Sequence, residues 1–105
     1  MKLILAIVSD DDTKNLIKEL NNNRFQATKL ATTGGFLSMG NTTLIIGTED
    51  NLVDQAISII KDNCEKRTEI MPQISGLSRF ASTPIEVNVG GATIFVLDVE
   101  QFIKA

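Results

Sequence analysis

The stretch TTLIIGTEDNLVDQAISIIKDNC, residues 42–64, sets a strand directly before a helix. Thr42–Ile46 is β-branched or aliphatic throughout, which suits a pleated strand, and Gly47 ends the run. Leu52, Val53, Ala56, Ile57, Ile60 and Cys64 then recur at helical spacing and put one apolar stripe on one side of a helix. Asp50 stands where that helix opens and is expected to cap it.

The same order occurs toward the N-terminus. Leu3-Ile4-Leu5-Ala6-Ile7-Val8 is a continuous apolar run, the pattern of a strand covered on both faces or set mid-sheet. Ser9-Asp10-Asp11-Asp12-Thr13 follows where a helix begins, so its acids are expected to cap free N–H groups and oppose the helix dipole. A metal site is the competing reading. Leu16, Ile17 and Leu20 lie on one side of that helix, Asn21-Asn22-Asn23 stops it, and Phe25–Leu30 reads as a second strand. Beyond residue 64 the segment 65–83 is irregular. Ile85–Val89 alternates like a half-exposed strand, with Pro84 at its start. Gly90-Gly91 then reads as a hairpin turn into Ala92–Val99.

Strand–helix–strand twice, plus one added strand, predicts an α+β, ferredoxin-like βαββαβ antiparallel sheet with both helices on one face and an extra strand or hairpin. The whole chain of 105 residues is then one domain. One sheet face is left without helices, and an apolar face of that size predicts association.

Composition narrows the function. The net charge of -3 gives no general attraction to nucleic acid or an anionic membrane, and neither partner is expected. Leu3–Val8 is too short to span a bilayer, and no cleavage site or Arg-rich transit pattern follows it, so the expected compartment is the cytoplasm. Histidine is absent, which removes the commonest acid/base group and metal ligand. No catalytic or metal site is expected, and no cofactor. Cys64 is alone and is expected to serve as a small buried hydrophobe.

Ala27-Thr28-Lys29-Leu30-Ala31-Thr32-Thr33-Gly34-Gly35-Phe36-Leu37, then Gly40-Asn41-Thr42-Thr43, resembles the signature of the PII-like cyclic di-AMP receptors of the PstA or DarA type. Val87–Val96 is similar to that family's last hairpin, and Ala6-Ile7-Val8 extends the likeness to nearly the whole chain. The resemblance implies a homotrimer with sheets facing inward and cyclic di-AMP bound in the clefts between subunits. It also implies loops near 32–42 and 66–83, the second longer, and a ligand-dependent loop conformation handed to a downstream protein. In classical PII proteins the equivalent surfaces sense ATP, ADP and 2-oxoglutarate.

Carried onto this sequence, the binding residues are Gln26, Ala27, Thr28, Gly35, Phe36, Leu37, Asn41, Gly47 and Gly91. Their chemistry suits the ligand. Phe36 offers a stacking face for adenine, or anchors its loop on the core. Gly34 and Gly35 let N–H groups turn toward a phosphate, or make an ordinary tight turn. Asn41 presents a donor and an acceptor to a base edge, or fills a turn position. Thr28 offers a hydroxyl, and Gly47 admits a ligand close to the backbone or ends its strand.

Two features depart from the family pattern. Gln26 stands where the family usually has Arg, so a charged contact is replaced by a neutral one; Arg24, two residues earlier, is the candidate substitute on the same strand face. The segment 65–83, with Met71-Pro72, Gly76 and Arg79-Phe80, is unlike the usual loop, which suggests a different downstream partner. The competing functions are a sensor of another adenine nucleotide such as ATP, ADP or AMP, and a non-binding relative that acts through protein contacts.

Overall fold

The computed structural model describes residues 1–31, 40–71 and 85–105, and the apolar run near the N-terminus forms its central strand, β1 (Lys2–Ser9). After it come α1 (Asp10–Asn22), β2 (Ala27–Ala31), β3 (Asn41–Thr48), a short 3-10 turn (Asp50–Leu52), α2 (Val53–Asn63), β4 (Arg67–Met71), β5 (Ile85–Val89) and β6 (Ala92–Asp98). Four strands form an antiparallel sheet in the order β2-β3-β1-β6, while β4 and β5 pair with each other in a separate ribbon. This is the ferredoxin-like plan, with β6 completing the sheet.

Alternation along β1 sorts its side chains by face. Ile4, Ala6 and Val8 are buried with Leu44 and Ile46 of β3 beneath Leu16 and Leu20 of α1 and Ala56 and Ile60 of α2. Both helices therefore cover one side. Burying each such aliphatic side chain contributes roughly 1.5–3 kcal/mol, so this single layer supplies most of the fold's stability. Leu3, Leu5 and Ile7 point the other way and stay half-buried. Register sets Leu5 between Ile45 and Phe95, and Leu3 between Gly47 and Leu97, which makes an apolar strip across three strands. Phe95 and Leu97 are exposed on it.

Asp10, Asp11 and Asp12 all fall in the first turn of α1, where their charge opposes the dipole as expected, but no side chain caps the helix at Ser9. Two of the acids tie elements together instead. Asp10 accepts a hydrogen bond from the Thr42 hydroxyl, and its N–H donates to the Gly40 carbonyl at 2.8 Å. Asp12 is buried and pairs with Arg67 at 2.9 Å, joining the base of the ribbon to α1. Asp50 does not cap α2 either: its carboxylate lies 2.9 Å from the Met1 ammonium. Cys64 follows α2 directly, 2% exposed, and acts as the buried hydrophobe expected of it.

Several features differ from the sequence reading. Helix α1 runs through Asn22 and closes with Arg24 in the left-handed region at φ 66, after which Phe25 drops into the core. The second strand thus begins at Ala27, and Arg24 is not part of it. Part of the segment read as irregular is strand β4, and the 32–42 segment already belongs to β3 at Asn41 and Thr42. Gly90-Gly91 is not a hairpin turn: β5 pairs with β4 and β6 with β1, so the two glycines carry the chain from the ribbon into the main sheet. Both have positive φ, at 84 and 86, and the Gly91 N–H donates to the Cys64 carbonyl. A β-carbon on Gly90 would meet the Glu65 carbonyl oxygen at 2.5 Å, so this crossing needs glycine for space as well as for angle.

Candidate functional site

On the helix-free face a cavity of about 460 Å³ opens where β2, β3 and β1 end, within the size range of small-ligand sites. Its walls are Met1, Leu3, Gln26, Thr28, Ile45, Gly47, Val99 and Phe102. Strand register explains the grouping: Thr28 sits opposite Ile45, and Leu3 sits opposite Gly47, so all four share one face. Gln26 immediately precedes β2, and Val99 and Phe102 follow β6. A methyl group built on Gly47 would meet nothing within 4 Å, which leaves open space against the backbone at the cavity wall.

The cavity is mostly apolar, with an amide and a hydroxyl as its polar side chains. The Met1 ammonium is the positive group at its edge; the hydrogen bond it donates to the Asp50 carboxylate raises its pKa and lowers that of Asp50. Lys2 pairs with Asp98 across β1 and β6, and that hydrogen bond raises the Lys2 pKa. The Val99 N–H donates to the Met1 carbonyl at 3.2 Å, which fixes the chain as it leaves β6 beside the cavity.

Three of the residues expected from the sequence, Gln26, Thr28 and Gly47, are thus brought together. Arg24 lies in the turn before them and does not line the cavity. Ala27 packs its side chain toward the core, so it has only its main chain to offer a ligand. Asn41 begins β3 opposite Ser9, held by the Asp10 contacts to Gly40 and Thr42. It shares the helix-free face with Gly47 by alternation, but six residues of strand put about 20 Å between them. Gly91 stands at Asn41's end of the sheet, its N–H engaged by Cys64. Gly34, Gly35, Phe36, Leu37, Pro84 and the Arg79-Phe80 pair lie outside the described residues.

Sequence reasoning missed Met1, Leu3, Ile45, Val99 and Phe102 as cavity walls. For Leu3 and Ile45 the signal was present: apolar residues on both faces of β1 and β3 need two environments. Val99 and Phe102 follow the last strand and carry no periodic signal.

A second concavity of about 610 Å³ is lined by Lys61, Asp62, Cys64, Glu65 and Lys66. Its mixed charges suit solvent at a helix end, and the Cys64 thiol there is pushed up to about 11 by burial, with Asp12 adding to the shift, so it stays protonated and unreactive near neutral pH. Among the described residues no group of three or more His, Cys, Asp or Glu side chains is placed to hold a metal ion, and no helix is long and apolar enough to cross a membrane.

A family model described as cyclic-di-AMP receptor matches residues 1–105. Among solved structures, the chain is similar to a crystal structure of a functionally unknown protein from Pediococcus pentosaceus ATCC 25745. The two are 44% identical, with 99% of this chain and 96% of the other covered and a TM-score of 0.80.

Proposed function

The chain belongs to the cyclic-di-AMP receptor family, and we propose that it binds this second messenger in the clefts between subunits of a cytosolic homotrimer and signals through the segment between residues 66 and 83. The observation that carries the reading is the cavity on the helix-free face, which gathers Gln26, Thr28 and Gly47, three residues singled out from sequence alone. The apolar strip of Leu3, Leu5, Phe95 and Leu97 beside it is the surface a trimer would cover. Assembly also supplies the remaining half of the site. Asn41 and Gly91 lie too far along the sheet to close on a ligand held at Gly47 in the same chain, and a neighbouring copy brings its own set to the cleft. Phe36, with Gly34, Gly35 and Leu37 around it, is assigned one adenine.

The cavity's side chains are neutral and the Met1 ammonium at its edge is already paired with Asp50, which favours a ligand of low charge. Cyclic di-AMP carries one negative charge on each of two phosphodiesters, and amide, hydroxyl and main-chain donors suffice for these. A triphosphate concentrates more charge and needs Lys, Arg or a metal ion to offset it. The partner that reads the signal is a downstream protein.

Calorimetry against cyclic di-AMP, cyclic di-GMP, ATP and AMP, with light scattering on the same samples, tests this directly. Saturable binding of cyclic di-AMP with clear preference over the other three, at a trimer's mass, is the expected result. No binding at millimolar cyclic di-AMP, or a monomer at micromolar protein, overturns it.

A further inference from the structure

Cyclic di-AMP carries two chemically identical adenines, so a site that stacks one base on an aromatic ring has a second base to place. The chain has five phenylalanines and neither tyrosine nor tryptophan. Phe25 is 4% exposed inside the core and has no face to give. Phe95 lies mid-strand opposite Leu5 in the apolar strip, not in the cavity wall. Phe102 lines the cavity beside Gln26 and Thr28 and is 68% exposed. Among the described residues it is the aromatic side chain that combines an open face with a place at the candidate site.

Its position is set by the exit from β6. The Lys2–Asp98 pair ends the strand's pairing with β1, and the Val99 N–H to Met1 carbonyl bond adds one more tie. Val99 and Phe102 then form one wall of the cavity while Ile103, the next residue, stays 78% exposed and outside it. The two neighbours are equally apolar and differ in whether they face the cavity.

We propose that Phe102 is a ligand-contacting residue: its ring stacks on one adenine of cyclic di-AMP, with Gln26 and Thr28 beside it to hydrogen-bond the base edge or the adjoining phosphate. This rests on the cavity being the cyclic di-AMP site. Stacking on an aromatic ring is sequence-tolerant and strong enough to matter, and the ring's exposure in the free protein is then the cost of keeping a platform open.

The test uses the full chain. Phe102→Ala should raise the cyclic di-AMP dissociation constant about 5- to 150-fold with the oligomer's mass unchanged, whereas Ile103→Ala should change it less than about 2-fold. Because the wild-type chain lacks tryptophan, Phe102→Trp places a single emitter at the site, and its fluorescence should be quenched saturably by cyclic di-AMP. An unchanged dissociation constant for Phe102→Ala, equal losses for Phe102→Ala and Ile103→Ala, or a loss accompanied by dissociation of the oligomer each overturns the inference and leaves the receptor reading standing. Absence of binding by the wild-type protein overturns both.

Discussion

Leu44 and Ile45 are neighbours on β3, almost equal in volume, and they meet different surroundings. Leu44 is fully buried under the two helices, while Ile45 is half-buried on the face that carries the cavity. The same holds for Ile4 against Leu5 on β1. One face of the sheet is finished within the chain, and the other is built of the same residue types and left open. Apolar composition therefore has two meanings here: on one face it stabilises the fold, and on the other it stays partly exposed, on the surface proposed for a partner copy and a ligand.

The sharpest way to break this contrast is to truncate the two neighbours in turn. Leu44→Ala should lower the free energy of unfolding by about 2–5 kcal/mol in urea melts. Ile45→Ala should cost less than about 1.5 kcal/mol in dilute protein, and should weaken association as followed by light scattering. Equal costs for both at all protein concentrations would erase the distinction between the faces.

Two glycines extend the comparison. Gly90→Ala should destabilise by about 1–3 kcal/mol, since its positive φ and the nearby Glu65 carbonyl leave no place for a methyl group. Gly47→Ala, in open space on the cavity face, should change stability by less than about 0.5 kcal/mol and reduce ligand affinity instead. Loss of stability without loss of affinity at Gly47 would mean the open space is not the ligand's.

A smaller effect is expected at Gln26 on the cavity wall. Gln26→Arg should tighten cyclic di-AMP binding by about 1 kcal/mol through a charge-assisted contact to phosphate, and the gain should shrink as salt rises. A gain independent of salt would point to packing rather than charge.

A pH-dependent effect belongs to the buried side. The Cys64 thiol ionises at about 11 in the folded chain against 9.0 for an ordinary thiol, because burial disfavours the thiolate. The folded form keeps a proton that the unfolded form loses first, so this contribution is whole below about pH 9 and is lost as pH rises through 11. Urea melts at pH 8, 9, 10 and 11 should show wild type losing more stability than Cys64→Ala across that range. Parallel profiles for the two would place the thiol in water.

Most of the sheet and both helices were legible because their periodicity is strong and local. Leu3–Val8 and Thr42–Ile46 declare strands, and Ala56, Ile60 and Cys64 declare a helix face. Strand β4 was not legible: Arg67-Thr68-Glu69-Ile70-Met71 has weak alternation and acquires its structure by pairing with β5, far along the chain. Gly90-Gly91 misled for a related reason. Two glycines suit a hairpin as well as a crossing, and what decides between them is that β1 has a free edge for β6 while β4 takes β5. At the site, Gln26, Thr28 and Gly47 were readable through family likeness, whereas Phe102 owes its place to the path of the chain after β6 and has no pattern to betray it.

The crossing at Gly91 has a consequence for how such a chain can change over evolutionary time. Its N–H bonds the Cys64 carbonyl, so the two ends of the segment between these residues meet at one point. Whatever lies between is a cassette spliced in at a closed base. Doubling its length adds only about 0.6 kcal/mol of closure entropy, and none of that need reach the sheet. The chain can thus exchange the segment proposed to address other proteins and keep unaltered the sheet and the cavity on its helix-free face.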